Sequence, residues 1–265
     1  MKFFSNTFNH NGTTVAWYQT GEGKPLIILH GWGSSGDVMK PVAERLSNIR
    51  NCVILDLPGF GNSPEPPAPW AIGDYAELVI AFIDKQFPET PVDFLVHSFG
   101  ARILLKILSG HQQNLAIEKM IITGGAGLKP KRSIKFYFKK FVVATLKAPV
   151  MLLPPSMREP AMNRLRASSL WKSLGSSDYR KLTGVMRETF VKSVTEFFDE
   201  RLKNIPDEIL LLWGADDSAT PLDQAKRMEK GLKNSALVQI EDAGHYAFLD
   251  QPTKFAAISK AYLEG

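Results

Sequence analysis

Short apolar runs recur along this chain with helical patterns between them, and that alternation restricts its fold more than any other feature. Pro25-Leu26-Ile27-Ile28-Leu29-His30, Cys52-Val53-Ile54-Leu55-Asp56, Val92-Asp93-Phe94-Leu95 and Ile117-Glu118-Lys119-Met120-Ile121-Ile122-Thr123 are the main examples. Several are continuously apolar. A strand with one face in water alternates in polarity, whereas one covered on both faces does not. Helical patterns at 37–47, at 73–87 and after residue 98 separate the runs. Repeated strand-helix units imply an α/β fold, with a mostly parallel central sheet flanked by helices. An earlier strand-like run, Thr13-Thr14-Val15-Ala16-Trp17-Tyr18-Gln19, is set off from residue 25 by the turn residues Gly21-Glu22-Gly23.

The alternation stops at Gly124-Gly125 and resumes with Glu208-Ile209-Leu210-Leu211-Leu212-Trp213. A helix at 222–231, a strand at 236–240 and a helix at 253–263 then complete the pattern. Residues 126–204 carry helical patterns broken by Pro149, Pro154, Pro155 and Pro160. The expected organisation is a core domain of residues 1–125 and 205–265, with a helical cap or lid insertion at 126–204. At 265 residues the chain is long enough to bury one large core that carries such an insertion.

The net charge of +5 is unevenly spread. Residues 126–204 hold 17 Lys+Arg against 6 Asp+Glu, a net of +11, and the remainder holds 15 against 21, a net of −6. No helix-turn-helix, zinc finger or aromatic RNA-binding strand accompanies that basic segment, so nucleic acid is not an expected partner. The N-terminal Met1-Lys2-Phe3-Phe4-Ser5-Asn6-Thr7 turns polar too early for a signal peptide. Cys52 is the one cysteine, expected as a buried core residue. It permits no internal disulfide, and a cytoplasmic location is expected.

The pentad Val96-His97-Ser98-Phe99-Gly100 follows an apolar run and opens a helical pattern, Ala101-Arg102-Ile103-Leu104-Leu105-Lys106-Ile107-Leu108. A serine on a sharp strand-to-helix turn projects its hydroxyl out of the packed layer, beside a backbone N–H and the positive end of a helix. Such a hydroxyl is a poor nucleophile until a base takes its proton. Two later segments offer partners. Trp213-Gly214-Ala215-Asp216-Asp217-Ser218-Ala219-Thr220-Pro221 leaves one apolar strand, and Ala243-Gly244-His245-Tyr246 follows the next. Loops after the carboxyl ends of parallel strands share one edge of the sheet, so these residues can converge. Taken alone, Ser98 also suits a helix N-cap. His30 and His97 are expected as loop-fixing or core hydrogen-bond partners, and His10 and His111 as solvated. No pair of histidines has metal-ligand spacing, so no metal and no cofactor is expected.

These segments, with His30-Gly31-Trp32-Gly33, Asp56-Leu57-Pro58-Gly59-Phe60-Gly61-Asn62-Ser63 and Leu249-Asp250-Gln251-Pro252, occur in the order found in the α/β-hydrolase fold superfamily. Outside the insertion the chain resembles that superfamily over essentially its full length, and it is similar to capped esterases, lipases and meta-cleavage-product hydrolases. The resemblance implies Ser98 as nucleophile, His245 as general base and then acid, and a carboxylate orienting the imidazole. The family spacing Gly-x-x-Asp-x-x-x-Pro, from Gly214 to Pro221, selects Asp217 over Asp216. It also implies an oxyanion hole made by the backbone N–H groups of Trp32 and Phe99. Val96 stands where the family pattern has glycine, and a branched side chain there is expected to push the next helix outward or bend the turn.

The implied reaction is hydrolysis of a small-molecule carboxylic ester through an acyl-enzyme. Carbon–carbon bond hydrolysis of the meta-cleavage type, thioester, amide or perhydrolase chemistry, and a ligand-binding protein with little turnover remain alternatives. On a helical wheel Ile134, Tyr137, Phe138, Phe141 and Ala148 form an apolar face. The opposite half interleaves Lys135, Lys139, Lys140 and Lys147 with Phe136, Val142, Val143 and Leu146. Three explanations stay open for that half: a solvated face with buried lysine stems, a preference for anionic or amphiphilic substrates, or contact with an anionic membrane surface.

Overall fold

A computed structural model of the protein describes residues 2–110, 115–131, 134–168 and 182–265, and the side chains of 134–141, 143 and 166 lie outside that description. His111 therefore lies outside the described residues, as do the side chains of most of the helical-wheel residues of the insertion. Of the remainder, Ala148 and Lys147 are exposed and Val142 and Leu146 half-buried.

Eight strands form one sheet: β1 (Phe4–His10), β2 (Thr13–Thr20), β3 (Pro25–Leu29), β4 (Asn51–Leu55), β5 (Val92–His97), β6 (Ile117–Thr123), β7 (Glu208–Gly214) and β8 (Asn234–Ile240). Their spatial order is β1-β2-β4-β3-β5-β6-β7-β8. The β1-β2 and β2-β4 pairs are antiparallel and all others parallel. Every residue of β3 and β5 is buried, as continuous apolar runs at the centre of a sheet require. β1 is absent from the sequence expectation. It is an edge strand with mostly exposed residues, and its pairing comes from β2, with Thr7 opposite Ala16, not from an apolar run of its own.

Among the described residues the helices in chain order are α1 (Gly36–Leu46), α2 (Ile72–Gln86), α3 (Phe99–Ser109), α4 (Ile134–Met151), α5 (Pro155–Ala167), α6 (Gly184–Thr195), α7 (Leu222–Gly231), α8 (Ala247–Asp250) and α9 (Pro252–Glu264). α1 packs with α9, and α2 with α3. Alternate side chains of β3 serve the two layers. Leu26 and Ile28 join a cluster with Met39, Val42, Phe248, Phe255 and Leu263, whereas Leu29 meets α3 at Gly100.

Asp93 is the exception in the apolar run of β5, because its carboxylate is fully buried. It is matched by Lys24 Nζ at 2.6 Å, Arg50 Nε at 2.8 Å and the Lys119 N–H at 3.0 Å. A buried charge persists only with such partners. The register slips here between β5 and β6, and the Lys119 N–H released by the slip is the one that Asp93 accepts.

Contacts divide the chain into two compact units, one of Met1–Lys129 with Glu188–Gly265 and one of Pro130–Arg187. The larger unit contains the whole sheet. Residues after 187 join it through Arg102 Nη1, which donates to the carbonyls of Ser193 at 3.2 Å and Glu196 at 2.6 Å, and through the Lys129 N–H, which donates to Asp199. The smaller unit contains α4 and α5.

Candidate active site

Ser98 lies between β5 and α3 with φ 50 and ψ −102, a left-handed conformation that a non-glycine residue adopts only when its surroundings hold it there. Four backbone bonds do so. The Ser98 N–H donates to Thr123 O at 3.1 Å and the Gly100 N–H to His30 O at 3.2 Å, while Ser98 O accepts from Ala101 and Ala126. Neighbouring strand ends are thus tied to the turn. Gly31 packs against the serine: a Cβ on it would sit 3.2 Å from Ser98 Cβ and 3.0 Å from His97 Nδ1.

Val96 does not break this turn. It is fully buried and keeps its register opposite Leu29 of β3 and Ile122 of β6. The tight position is Gly100, where a Cβ would stand 2.7 Å from Leu29 O. α3 therefore approaches β3 as closely as backbone allows, and the expected outward push does not occur.

The loop after β7 carries Asp217, buried, and Asp216, exposed. Asp217 Oδ2 lies 2.8 Å from His245 Nδ1. The N–H groups of Ala219 and Thr220 each donate to Asp217 Oδ1 at 2.8 Å, and the Thr220 hydroxyl donates to Oδ2 at 2.8 Å. Burial opposes ionisation of Asp217, but the His245 and Thr220 hydrogen bonds outweigh it and hold its carboxyl below the usual carboxylate range. Trp213 Nε1 donates to Thr220 O at 2.8 Å and closes the loop. With Nδ1–H committed to Asp217, Nε2 of His245 is left as the basic nitrogen.

Two contacts bring His245 beside the serine turn. The Gly124 Cα follows Thr123, the acceptor of the Ser98 N–H, and a Cβ on Gly124 would lie 3.0 Å from His245 Nδ1. His97 Nε2 donates to the main-chain oxygen of His245 at 3.1 Å, and the two rings are 4.6 Å apart. Burial and the adjacent His245 push the His97 pKa down to about 3, so its ring is neutral. His30 is also buried and its pKa lowered by burial; its Nδ1–H donates to Gly31 O at 2.8 Å and its Nε2 accepts from Leu57 N–H at 3.0 Å.

Phe99 opens α3, so its N–H has no partner within the helix. Among the described residues, neither that N–H nor Trp32 N–H is used in the loop backbone bonds. The Trp32 ring packs edge-on against Phe60 at 4.9 Å, Phe99 at 5.1 Å and Phe190 at 5.1 Å, an aromatic wall beside the serine turn. His97 is the loop-fixing hydrogen-bond partner that the sequence suggests, whereas sequence reasoning missed Thr220 and this wall. Only side-chain direction reveals them. Among the described residues no cluster of His, Cys, Asp and Glu could hold a metal ion.

A family model of the alpha/beta hydrolase fold matches residues 24–252. The protein belongs to the α/β-hydrolase family. Among its relatives is a pimeloyl-[acyl-carrier protein] methyl ester esterase of Neisseria meningitidis, 25% identical over 284 residues that cover 91% of this chain and 94% of that one. A protein of the same name from Pectobacterium atrosepticum is 27% identical and covers 90% of this chain and 94% of its own. Two solved α/β-hydrolase structures superpose closely. A bacterial membrane phospholipase A has a TM-score of 0.74 at 20% identity over 99% of this chain and 86% of its own. A serine hydrolase of carbazole degradation has a TM-score of 0.73 at 17% identity over 99% of each chain.

Proposed function

We propose that this protein is a serine hydrolase of small carboxylic esters, with Ser98, His245 and Asp217 as its catalytic residues. The observation that carries the reading is the 2.8 Å bond between His245 Nδ1 and Asp217 Oδ2, beside a serine held at φ 50. The names of the methyl ester esterase relatives support an ester as the bond cleaved.

In this mechanism Ser98 Oγ attacks the ester carbonyl while His245 Nε2 takes its proton, and Asp217 stabilises the imidazolium. The N–H groups of Trp32 and Phe99 hold the oxyanion. His245 returns the proton to the leaving alcohol, which departs and leaves an acyl-serine. Water, deprotonated by His245, attacks that acyl group, and the acid leaves as Ser98 is reprotonated. The sum is ester plus water giving acid plus alcohol. A cytoplasmic location fits the single, buried cysteine, whose thiol burial pushes up to about 12.

The test compares wild type with Ser98→Ala for fluorophosphonate labelling and for turnover of short and long p-nitrophenyl esters. Wild type is expected to label at residue 98, and the variant to lose labelling and about 10³-fold or more of its turnover. Equal rates in the two proteins overturn the assignment. A folded wild type that binds ester without hydrolysing it moves the protein to the ligand-binding class.

A further inference from the structure

We infer that the turn between α4 and α5 docks on the surface of a membrane containing anionic lipid. Among the described residues seven large hydrophobic side chains are exposed, and three fall within positions 151–157: Met151 at 50%, Leu152 at 86% and Met157 at 56%. A single exposed leucine needs no explanation, but these three follow one another from the end of α4 through the turn into the first turn of α5. Ala148, Pro149, Pro154 and Pro155 around it are exposed as well.

The backbone of the turn is prepared for a poorly hydrated setting. Pro154 and Pro155, at the N-terminus of α5, carry no N–H, which removes two donors that would otherwise lose water. The Leu153 N–H donates to Val150 O at 3.3 Å and the Met157 N–H to Pro154 O at 2.9 Å. Leu153 O in turn accepts from Arg158 Nε at 2.8 Å. The turn thus presents aliphatic side chains with much of its polar backbone already satisfied.

Charge identifies the partner's sign. Residues 130–187 contain 13 Lys+Arg against two Asp+Glu, a net of +11, and the rest of the chain is −6. Lys147, Arg158 and Arg164 are exposed on the helices on either side of the turn. Basic groups flanking an aliphatic edge suit an anionic bilayer surface, where the charges meet headgroups and the side chains enter the headgroup–acyl boundary. An acidic polypeptide would answer the charge alone, since its hydrated surface offers Leu152 nothing to enter. No helix among the described residues is long and apolar enough to cross a membrane, so the contact is peripheral. It stands whether or not Ser98 hydrolyses esters.

The experiment sediments the full chain with phosphatidylcholine vesicles and with phosphatidylcholine–phosphatidylglycerol vesicles. Wild type is expected to bind the anionic vesicles and to lose binding as salt rises. The Met151→Asp/Leu152→Asp variant is expected to bind them at least about tenfold more weakly, with unchanged turnover of a soluble ester. Leu152→Ser, milder and at the most exposed position, preserves the test if the double variant does not fold. Equal binding to both vesicle types, no binding to either, or wild-type binding by the folded variants overturns the inference. Retention on polyglutamate without vesicle binding assigns the surface to an acidic polypeptide instead.

Discussion

His97 Nε2 and the main-chain oxygen of His245 are joined at 3.1 Å, so the residue before the elbow serine holds the loop that carries the imidazole. His97 is buried and its pKa is pushed down to about 3, whereas in the unfolded chain a histidine titrates near about 6.5. The unfolded state therefore binds the proton first as pH falls. His97 contributes stability that is complete above about pH 6.5 and is lost between there and about pH 3, at up to about 1.4 kcal/mol per pH unit. His30, also held neutral by burial, acts in the same direction. Urea unfolding of wild type and His97→Gln between about pH 7 and pH 4 should give a shallower acid slope in the variant. Equal slopes would remove His97 from the account.

Asp217 and Asp216 are adjacent, but only Asp217 reaches His245. Asp217→Asn should lower kcat by about 10³- to 10⁴-fold by turning the imidazole to the wrong tautomer, and Asp216→Asn should stay within about twofold. Thr220→Val removes the hydroxyl that donates to Asp217 Oδ2 and approaches His245 Nδ1 at 3.3 Å. It should cost about tenfold in kcat/KM, because the carboxylate loses a hydrogen bond that fixes it against the imidazole. Steady-state kinetics with one p-nitrophenyl ester across pH would check all three variants.

Val96 and Gly100 make opposite demands on the elbow. Val96→Gly should destabilise the protein by about 2–4 kcal/mol, through a cavity and a freer unfolded backbone, without raising kcat. Gly100→Ala should also destabilise, because its Cβ would meet Leu29 O at 2.7 Å and backbone cannot step aside. Chemical denaturation of both variants gives the check. A more active Val96→Gly enzyme would mean that the valine restrains Ser98.

The parallel sheet was legible because β3, β4 and β5 are buried on both faces and their sequences carry that burial as continuous apolar runs. β1 was not, since an exposed edge strand has no such run and takes its register from β2. The burial of Asp93 within the apolar run of β5 was not legible either, because its partners Lys24 and Arg50 come from elsewhere in the chain.

By itself the sequence determined the α/β class, the strand ends that carry chemistry, and the candidates Ser98, Asp217 and His245. The class and the strand ends follow from local composition and from order along the chain, and the three candidates from the resemblance of their motifs to the α/β-hydrolase family. Tertiary structure alone decided how Thr220 and His97 hold the carboxylate and the imidazole loop, and how Val96 is accommodated. The reason is geometric: a hydrogen bond between residues 148 positions apart, as between His97 and His245, depends on strand order and side-chain direction, which no local pattern encodes.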